Sequence, residues 1–223
     1  HWSTHCQCCG RLDKQDIQAI VAAVVDRMRT DADKFKEQEM SNIFWAAATV
    51  GLDKQEIQPI VNAVVERMST DADKFSELNL TNILWAAAKV GLDTKEIQPI
   101  VTAVLGRMST DADEFTEQGL STILWAAATI GLDKRNIQPM MIVAVVVHRM
   151  RTDAGKFNEQ DLSNVFWAAA AICVDTQEIQ PIVTAVVERM ETDADNFSEQ
   201  ALSNIIWRSK KCQIYFGLLL RSA

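Results

Sequence analysis

Apolar residues recur along this chain at helical spacing, in two kinds of segment that alternate. The first kind follows Leu52, and its apolar residues share one helical face: Ile57, Ile60, Val61, Val64, Val65 and Met68. The second kind comes next, with Trp85 beside its apolar face: Leu80, Ile83, Leu84, Ala87 and Val90. No segment alternates with a period of two over the length of a strand, so the pattern predicts an all-α protein.

The pair of segments repeats along the chain at a nearly constant interval. Five tryptophans mark the interval, at separations of 40, 40, 42 and 40 residues: Trp45, Trp85, Trp125, Trp167 and Trp207. They lie in related strings such as SNIFWAAATVG, TNILWAAAKVG and STILWAAATIG. A fixed period of this size is typical of repeat proteins, in which each unit packs against its neighbours. We therefore predict an α-solenoid of about five antiparallel two-helix repeats of roughly 40 residues.

The period divides the chain into a repeat array, residues 11–207, with a divergent segment at each end. The units are 12–51, 52–91, 92–131, 132–173 and 174–207. Residues 1–10 and 208–223 do not follow the pattern. The fourth unit carries two extra residues between Pro139 and Arg149, which predicts a local irregularity in its first helix.

Local signals in the second unit predict where its helices begin and end. Asp53 and Glu56 have the spacing of a capping box at the start of the first helix. Pro59 lies inside that helix and removes an amide donor, which predicts a bent or 3₁₀-like first turn. Gly91 is expected to end the second helix in the left-handed conformation. We also expect Trp85 and its equivalents to be mostly buried between successive second helices.

Composition and charge narrow the classes of function. The chain carries a net charge of −8, which disfavours a simple polyanion-binding protein because phosphate contacts need clustered Lys and Arg. Its five cysteines form no disulfide framework, so a reducing, intracellular compartment is favoured. The longest apolar run, residues 139–147, is too short to span a bilayer, and we expect no membrane association.

The sequence contains no recognisable site of catalysis or metal binding. It has no glycine-rich phosphate loop and no nucleophile elbow, and His148 is the only histidine inside the array. The histidines and cysteines near the N-terminus do not match the spacing of an established zinc site. We therefore predict a non-catalytic protein without a metal, a cofactor or a small-molecule substrate.

One arginine recurs near the end of each first helix. These residues are Arg27, Arg67, Arg107, Arg149 and Arg189. Stacked repeats would place them in a ladder that could contact the phosphates of a nucleic acid backbone. Alternatively, each arginine favours the C-terminal end of its helix and pairs with the nearby aspartate of the T-D-A-D turn.

An amide side chain precedes the apolar pair of the second helix in four units. These residues are Asn42, Asn82, Asn164 and Asn204, with Thr122 in the third unit. Such an amide could read a base edge, or it could hydrogen-bond the backbone of the adjacent repeat. A second recurring set also has two possible roles, as solvated surface residues or as contacts to a ligand. It consists of Gln38, Gln118, Gln160 and Gln200, with Leu78 as the exception.

The second helices resemble those of known helical-repeat proteins. The string FSELNLTNILWAAAKVG, residues 75–91, and its counterparts resemble octotricopeptide repeats and the helical region of FAST-kinase-like and RAP-domain proteins. The resemblance implies an α-solenoid that binds single-stranded RNA in mitochondria or plastids and acts in transcript maturation, stability or translation. The recurring arginines and asparagines are then candidate contacts. We therefore predict organellar RNA binding; the alternative, which the acidic charge favours, is a protein-interaction scaffold or a structural subunit of a larger assembly.

Overall fold

The computed structural model describes residues 14–132, 137–172 and 178–211, and within these ranges the protein is all-helical, with no residue in a strand. This confirms the predicted all-α class. The divergent segment 1–10 lies outside the described residues, and the C-terminal tail is described only as far as residue 211. The described ranges contain ten α-helices: α1 (Lys14–Asp31), α2 (Glu37–Val50), α3 (Lys54–Asp71), α4 (Glu77–Val90), α5 (Gln98–Thr110), α6 (Glu117–Ile130), α7 (Ile137–Asp153), α8 (Glu159–Ile172), α9 (Gln180–Asp193) and α10 (Glu199–Lys211).

A single 3₁₀ turn joins the two helices of each unit. The turns are Ala32–Lys34, Ala72–Lys74, Ala112–Glu114, Ala154–Lys156 and Ala194–Asn196. A phenylalanine in extended conformation follows each turn, as at Phe75, which has φ −81° and ψ 124° and is fully buried. Phe115, Phe157 and Phe197 are buried in the same way. The turns therefore insert an aromatic ring into the core at the start of α4, α6, α8 and α10, whereas Phe35, before α2, is only partly buried.

The helix ends follow from local hydrogen bonds. Asp53 Oδ1 accepts from the amides of Gln55 at 2.8 Å and Glu56 at 2.9 Å. Glu56 Oε2 accepts in return from the Asp53 amide at 2.7 Å, so the predicted capping box is confirmed. Gly91 has φ 76°, which confirms the left-handed end of α4.

The prolines act differently in different units. The 3₁₀-like first turn expected beside Pro59 is absent from α3, which is α-helical from Lys54 onward. In α5 and α9 the α-helix instead begins one residue before the proline, at Gln98 and Gln180. A proline early in a helix loses little, because amides in the first turn have no partner in the helix.

The ten helices of the described ranges pack against one another in a regular order. Helices α1, α3, α5, α7 and α9 contact one another in chain order, and so do α2, α4, α6, α8 and α10. Each of α2, α4, α6 and α8 also contacts the helix that follows it. One hydrophobic cluster runs from Val25 to Ile205 and includes residues of every helix. Units that are adjacent in sequence therefore share one core.

The tryptophans lie at the edge of the core, and the expectation that they are mostly buried holds only for the three interior ones. Trp45 and Trp207 are 44% and 56% exposed, and Trp85, Trp125 and Trp167 are half-buried. In the first four units the buried position is the one immediately before the tryptophan. The prediction is therefore wrong for Trp45 and Trp207, whereas Trp85, Trp125 and Trp167 are partly buried and pack against the core from the edge of the apolar stripe.

Buried serines join successive second helices. The serine that precedes the candidate asparagine or threonine is fully buried in three units. Its hydroxyl donates to a backbone carbonyl of the next unit at 3.3, 3.4 and 3.3 Å, in the pairs Ser41–Asn79, Ser121–Asp161 and Ser163–Ala201. Each bond satisfies a buried hydroxyl and sets the distance between neighbouring helices.

Helix α7 keeps the register of the other first helices despite the two extra residues of its unit. Its buried residues lie 82 positions after their equivalents in α3, where two regular intervals would give 80: Ile142, Val143, Val146 and Met150 against Ile60, Val61, Val64 and Met68. The extra residues therefore precede Ile142. Arg149 consequently occupies the same place in α7 as Arg67 does in α3.

Asp161 is a buried carboxylate, and we expect Asp161→Asn to stabilise the protein at neutral pH. Burial raises the pKa of Asp161, against the lowering effect of a hydrogen bond from the Asn158 amide. A raised pKa means that the ionised carboxylate destabilises the folded state above that pKa, and that the penalty vanishes as pH falls below the ordinary value of 3.8. Asn79 occupies the equivalent position in α4, so asparagine fits.

The measurement is the melting temperature of both proteins between pH 7 and pH 4. The variant should melt higher at pH 7, and its advantage should shrink as the pH is lowered. A variant that melts lower than the wild type at pH 7 would show that the N-terminus of α8 stabilises the carboxylate more than burial destabilises it.

Candidate binding surfaces

Four of the recurring arginines form ion pairs with the preceding unit. Their partners are glutamates that begin the second helix of that unit. The pairs are Arg67–Glu37, Arg107–Glu77, Arg149–Glu117 and Arg189–Glu159, with nitrogen to oxygen distances of 2.6, 3.3, 3.0 and 2.7 Å. Both members of each pair are 12–21% exposed. The pairs are therefore partly shielded from solvent and hold adjacent units together.

The same guanidinium groups also bond the 3₁₀ turn of the preceding unit. The Nη2 atoms donate to backbone carbonyls at Ala32, Asp73, Ala112 and Gly155, at 3.4, 2.8, 3.2 and 3.4 Å. Burial of Glu37 opposes its ionisation, but hydrogen bonds from its own amide and from Arg67 outweigh burial and lower its pKa. The carboxylate that receives the arginine is thus held in its charged form.

Arg27 differs from the other four because the described chain has no unit before it. Its side chain is 63% exposed and pairs with Asp31 of its own helix at 2.5 Å. The proposed pairing with a nearby aspartate therefore describes Arg27 well, and Arg107 and Arg189 also lie 3.7 and 3.9 Å from the equivalent residues, Asp111 and Asp193. For the other four, the closest carboxylate lies in the preceding unit, and a phosphate would have to compete with it. A phosphate-binding role for this ladder stays a prediction.

The second helices carry an uncharged face outside the core. Its positions lie four and three residues apart, as in Gln38, Asn42 and Trp45, so they share one side of a helix. None of these side chains is buried. We refer to this surface as the amide–tryptophan face, formed by Gln38, Asn42, Trp45, Leu78, Asn82, Trp85, Gln118, Thr122, Trp125, Gln160, Asn164, Trp167, Gln200, Asn204 and Trp207.

In the described part of the chain the asparagines of this face do not bond the backbone of the adjacent unit; a neighbouring serine makes that bond in three units. Asn164 Oδ1 accepts from Gln160 Nε2 at 3.0 Å, and Gln200 and Asn204 form the same pair. Among the described residues Asn82 has no such bond, and Leu78 stands in the place of the glutamine. Its amide has no hydrogen-bond partner within the described ranges. It lies at the surface and is available to form hydrogen bonds with a ligand.

Between α2, α4 and α6 the face deepens into a cavity of about 400 Å³. Trp45 and Trp85 line it, with ring centroids 6.0 Å apart and 32° between their planes. Leu78, which is 65% exposed, and the free amide of Asn82 also line it. The cavity therefore combines aromatic, aliphatic and amide groups of the amide–tryptophan face with the carboxyl groups of Glu77 and Glu114.

A larger, open cavity of about 910 Å³ lies between α3 and α5. Gly106 lines it, where α3 carries Glu66, and an added Cβ at Gly106 would have nothing within 4 Å. Lys95, Asp73 and Asp111 contribute charges of both signs. This mixed lining indicates no particular class of ligand.

The described residues contain neither a membrane span nor a metal cluster. No helix in these ranges is both long and apolar enough to cross a bilayer. Nor do these ranges contain a group of three or more His, Cys, Asp or Glu side chains placed to hold a metal ion. The histidines and cysteines before residue 10 lie outside the described residues.

Comparison with known proteins does not assign the chain to a family. No protein-family model matches the chain, and no curated protein matches it. The function is therefore inferred from the surfaces described above and from the resemblance of the second helices.

Proposed function

We propose that this chain is an α-solenoid of two-helix repeats that binds an extended segment of a partner protein, without catalysis. The amide–tryptophan face is the observation that carries this proposal, because it is uncharged and recurs on all five second helices. Amide side chains offer a donor and an acceptor, as a peptide bond does, and indole rings offer apolar contact area. The packing of α2, α4, α6, α8 and α10 in chain order supports one lengthwise surface.

Charge favours a protein ligand over a polyanion. The net charge is −8, and four of the five recurring arginines are paired with glutamates of the preceding unit. Nucleic acid binding depends on cations that displace the counterions of the phosphates. A protein segment has no such requirement, and a basic one would be attracted by the acidic body.

Single-stranded organellar RNA is the second candidate ligand. The resemblance of residues 75–91 to octotricopeptide repeats favours it, and so do the exposed rings of Trp45 and Trp207, because aromatic side chains stack on bases. With this ligand the protein would act in a mitochondrion or plastid, in transcript maturation, stability or translation. Arg27 is then the best placed of the arginines, since it is exposed.

A binding comparison separates the two candidates. The whole chain is titrated with a pool of random-sequence dodecapeptides and with the four homopolymer RNAs, using intrinsic tryptophan fluorescence. The test variant carries Asn42→Ala, Asn82→Ala and Asn164→Ala on the amide–tryptophan face. The control carries three polar-to-alanine changes on exposed residues of first helices: Asn62→Ala, Thr102→Ala and Thr184→Ala.

We expect the wild-type chain to bind peptides. The test variant should lower the peptide affinity by about tenfold or more, roughly 1.4 kcal/mol or above, and the control should leave it unchanged. RNA binding that the test variant abolishes and that weakens steeply with salt would favour the second candidate instead. If the test variant binds either polymer as tightly as the wild type does, the proposed surface is refuted.

A further inference from the structure

Glu114 changes the charge at one boundary between units. The third residue of the 3₁₀ turn is a lysine in three units, Lys34, Lys74 and Lys156, and an asparagine, Asn196, in the fifth. Lys74 interacts electrostatically with Glu37, which begins the second helix of the unit before it. In the third unit, Glu114 takes the place of that lysine, and its carboxyl group lies beside that of Glu77, since the two are 4.0 and 3.3 Å from the same atom, Arg107 Nη1. A carboxyl pair thus replaces a lysine–glutamate pair.

At this boundary the carboxyl groups outnumber the guanidinium group that they surround. Arg107 Nη1 lies 3.3 Å from Glu77, 3.7 Å from Asp111 and 4.0 Å from Glu114, so one guanidinium faces three carboxyl groups. A hydrogen bond with the carboxyl group of Glu77 and, second, the repulsion between the two carboxylates raise the pKa of Glu114. Glu114 is 57% exposed and accessible to a further cation.

The carboxyl pair lies in the cavity of the amide–tryptophan face. Glu77 and Glu114 line the same space as Trp45, Trp85 and Asn82. A cation gains from the face of an indole ring as well as from a carboxylate, and the alkyl stem of a long basic side chain packs on apolar surface. The unpaired Asn82 amide is suited to the backbone of an extended peptide.

We propose that this cavity, between α2, α4 and α6, binds a lysine or arginine side chain of an extended segment of a partner protein. The proposal rests on the proposed function and names the partner chemistry: a basic segment, whose cation joins Glu77 and Glu114 while its stem contacts the tryptophans and Leu78. A phosphate at the same place would meet two carboxyl groups and no free cation among the described lining residues.

The test uses Gly/Ser dodecapeptides that differ only at one central residue, Arg, Lys, Gln or Glu. Each is titrated against the whole ¹⁵N-labelled chain, and the indole N–H signals of Trp45 and Trp85 report weak binding. The test variant is Glu114→Lys, which introduces the residue of three other units. Glu188→Lys, an exposed position on α9, makes the same change in net charge away from the cavity.

We expect the Arg and Lys peptides to shift both indole signals and to bind about tenfold more tightly than the Gln peptide, with the Glu peptide weakest. Glu114→Lys should remove this preference, and Glu188→Lys should change the affinities by less than about twofold, since exposed charges at a distance are screened. Melting temperature verifies that both variants fold.

Three outcomes would overturn the inference in different ways. Equal binding of the Arg and Gln peptides, together with loss of random-peptide binding in the asparagine variant, would refute the cation site and leave the proposed function standing. No binding of any peptide to the chain would refute both. Polyuridylate that shifts the same indole signals, and does so more strongly with Glu114→Lys, would replace the basic peptide by a nucleic acid.

Discussion

Replacing Phe75 with alanine is expected to lower the free energy of unfolding by about 3–5 kcal/mol, more than any tryptophan replacement. The ring of Phe75 is fully buried in the shared core, so its removal leaves a cavity. Trp85→Ala should cost only about 1–2 kcal/mol, because the indole is half-buried and keeps part of its hydration in the folded state. Guanidinium denaturation followed by circular dichroism measures both.

The comparison within one unit makes this result decisive. Both substitutions remove one aromatic ring from the second unit. A loss for Trp85→Ala equal to that for Phe75→Ala would mean that the indole belongs to the core, as the sequence pattern alone suggested. A change in the slope of the denaturation curve for Phe75→Ala would show that unfolding has become uncoupled between units.

Removing the guanidinium of Arg149 is expected to cost about 2–4 kcal/mol, the second largest effect. Arg149 is 12% exposed and bonds Glu117, Asp113 and the Ala112 carbonyl. Arg149→Gln leaves Glu117 partly buried without its cation, near the buried carboxylate of Asp161. The two carboxylates then repel each other in a medium that screens them poorly.

Arg27→Gln is the matched control for this prediction. Arg27 has the equivalent position in the first unit, but it is 63% exposed and, among the described residues, pairs only within its own helix. Its loss should cost less than about 0.5 kcal/mol, as for other exposed pairs. The measurement is the denaturation midpoint of each variant, Arg149→Gln and Arg27→Gln, at low and at high salt. Equal losses for both variants would contradict the view that the recurring arginines hold adjacent units together.

The helices and their ends could be predicted from the sequence because the interactions that form them are short-range. The capping of α3 by Asp53 involves residues two and three positions away, and Gly91 ends α4 through its own backbone conformation. The apolar stripe of α4, from Leu80 to Ala87, likewise depends only on helical geometry. The period of the tryptophans added the number and spacing of the units.

The roles of the arginines, serines and tryptophans were decided by contacts between units. Arg67 and Glu37 are 30 residues apart, and a repeating sequence cannot show which carboxylate of which unit an arginine will meet. Ser41 and Asn42 are adjacent, about 100° apart around the helix, so the approach of the next helix determines which one bonds its backbone.

The same reasoning explains the candidate cavity. Glu114 is visible in the sequence as an acidic residue where other units carry lysine, but its meaning depends on Glu77, 37 residues earlier. Only the packing of α4 beside α6 brings the two carboxyl groups together in the space lined by Trp45 and Trp85. Local interactions therefore determined the helices, whereas the stacking of units determined which side chains are buried, which are paired and which remain available to a partner.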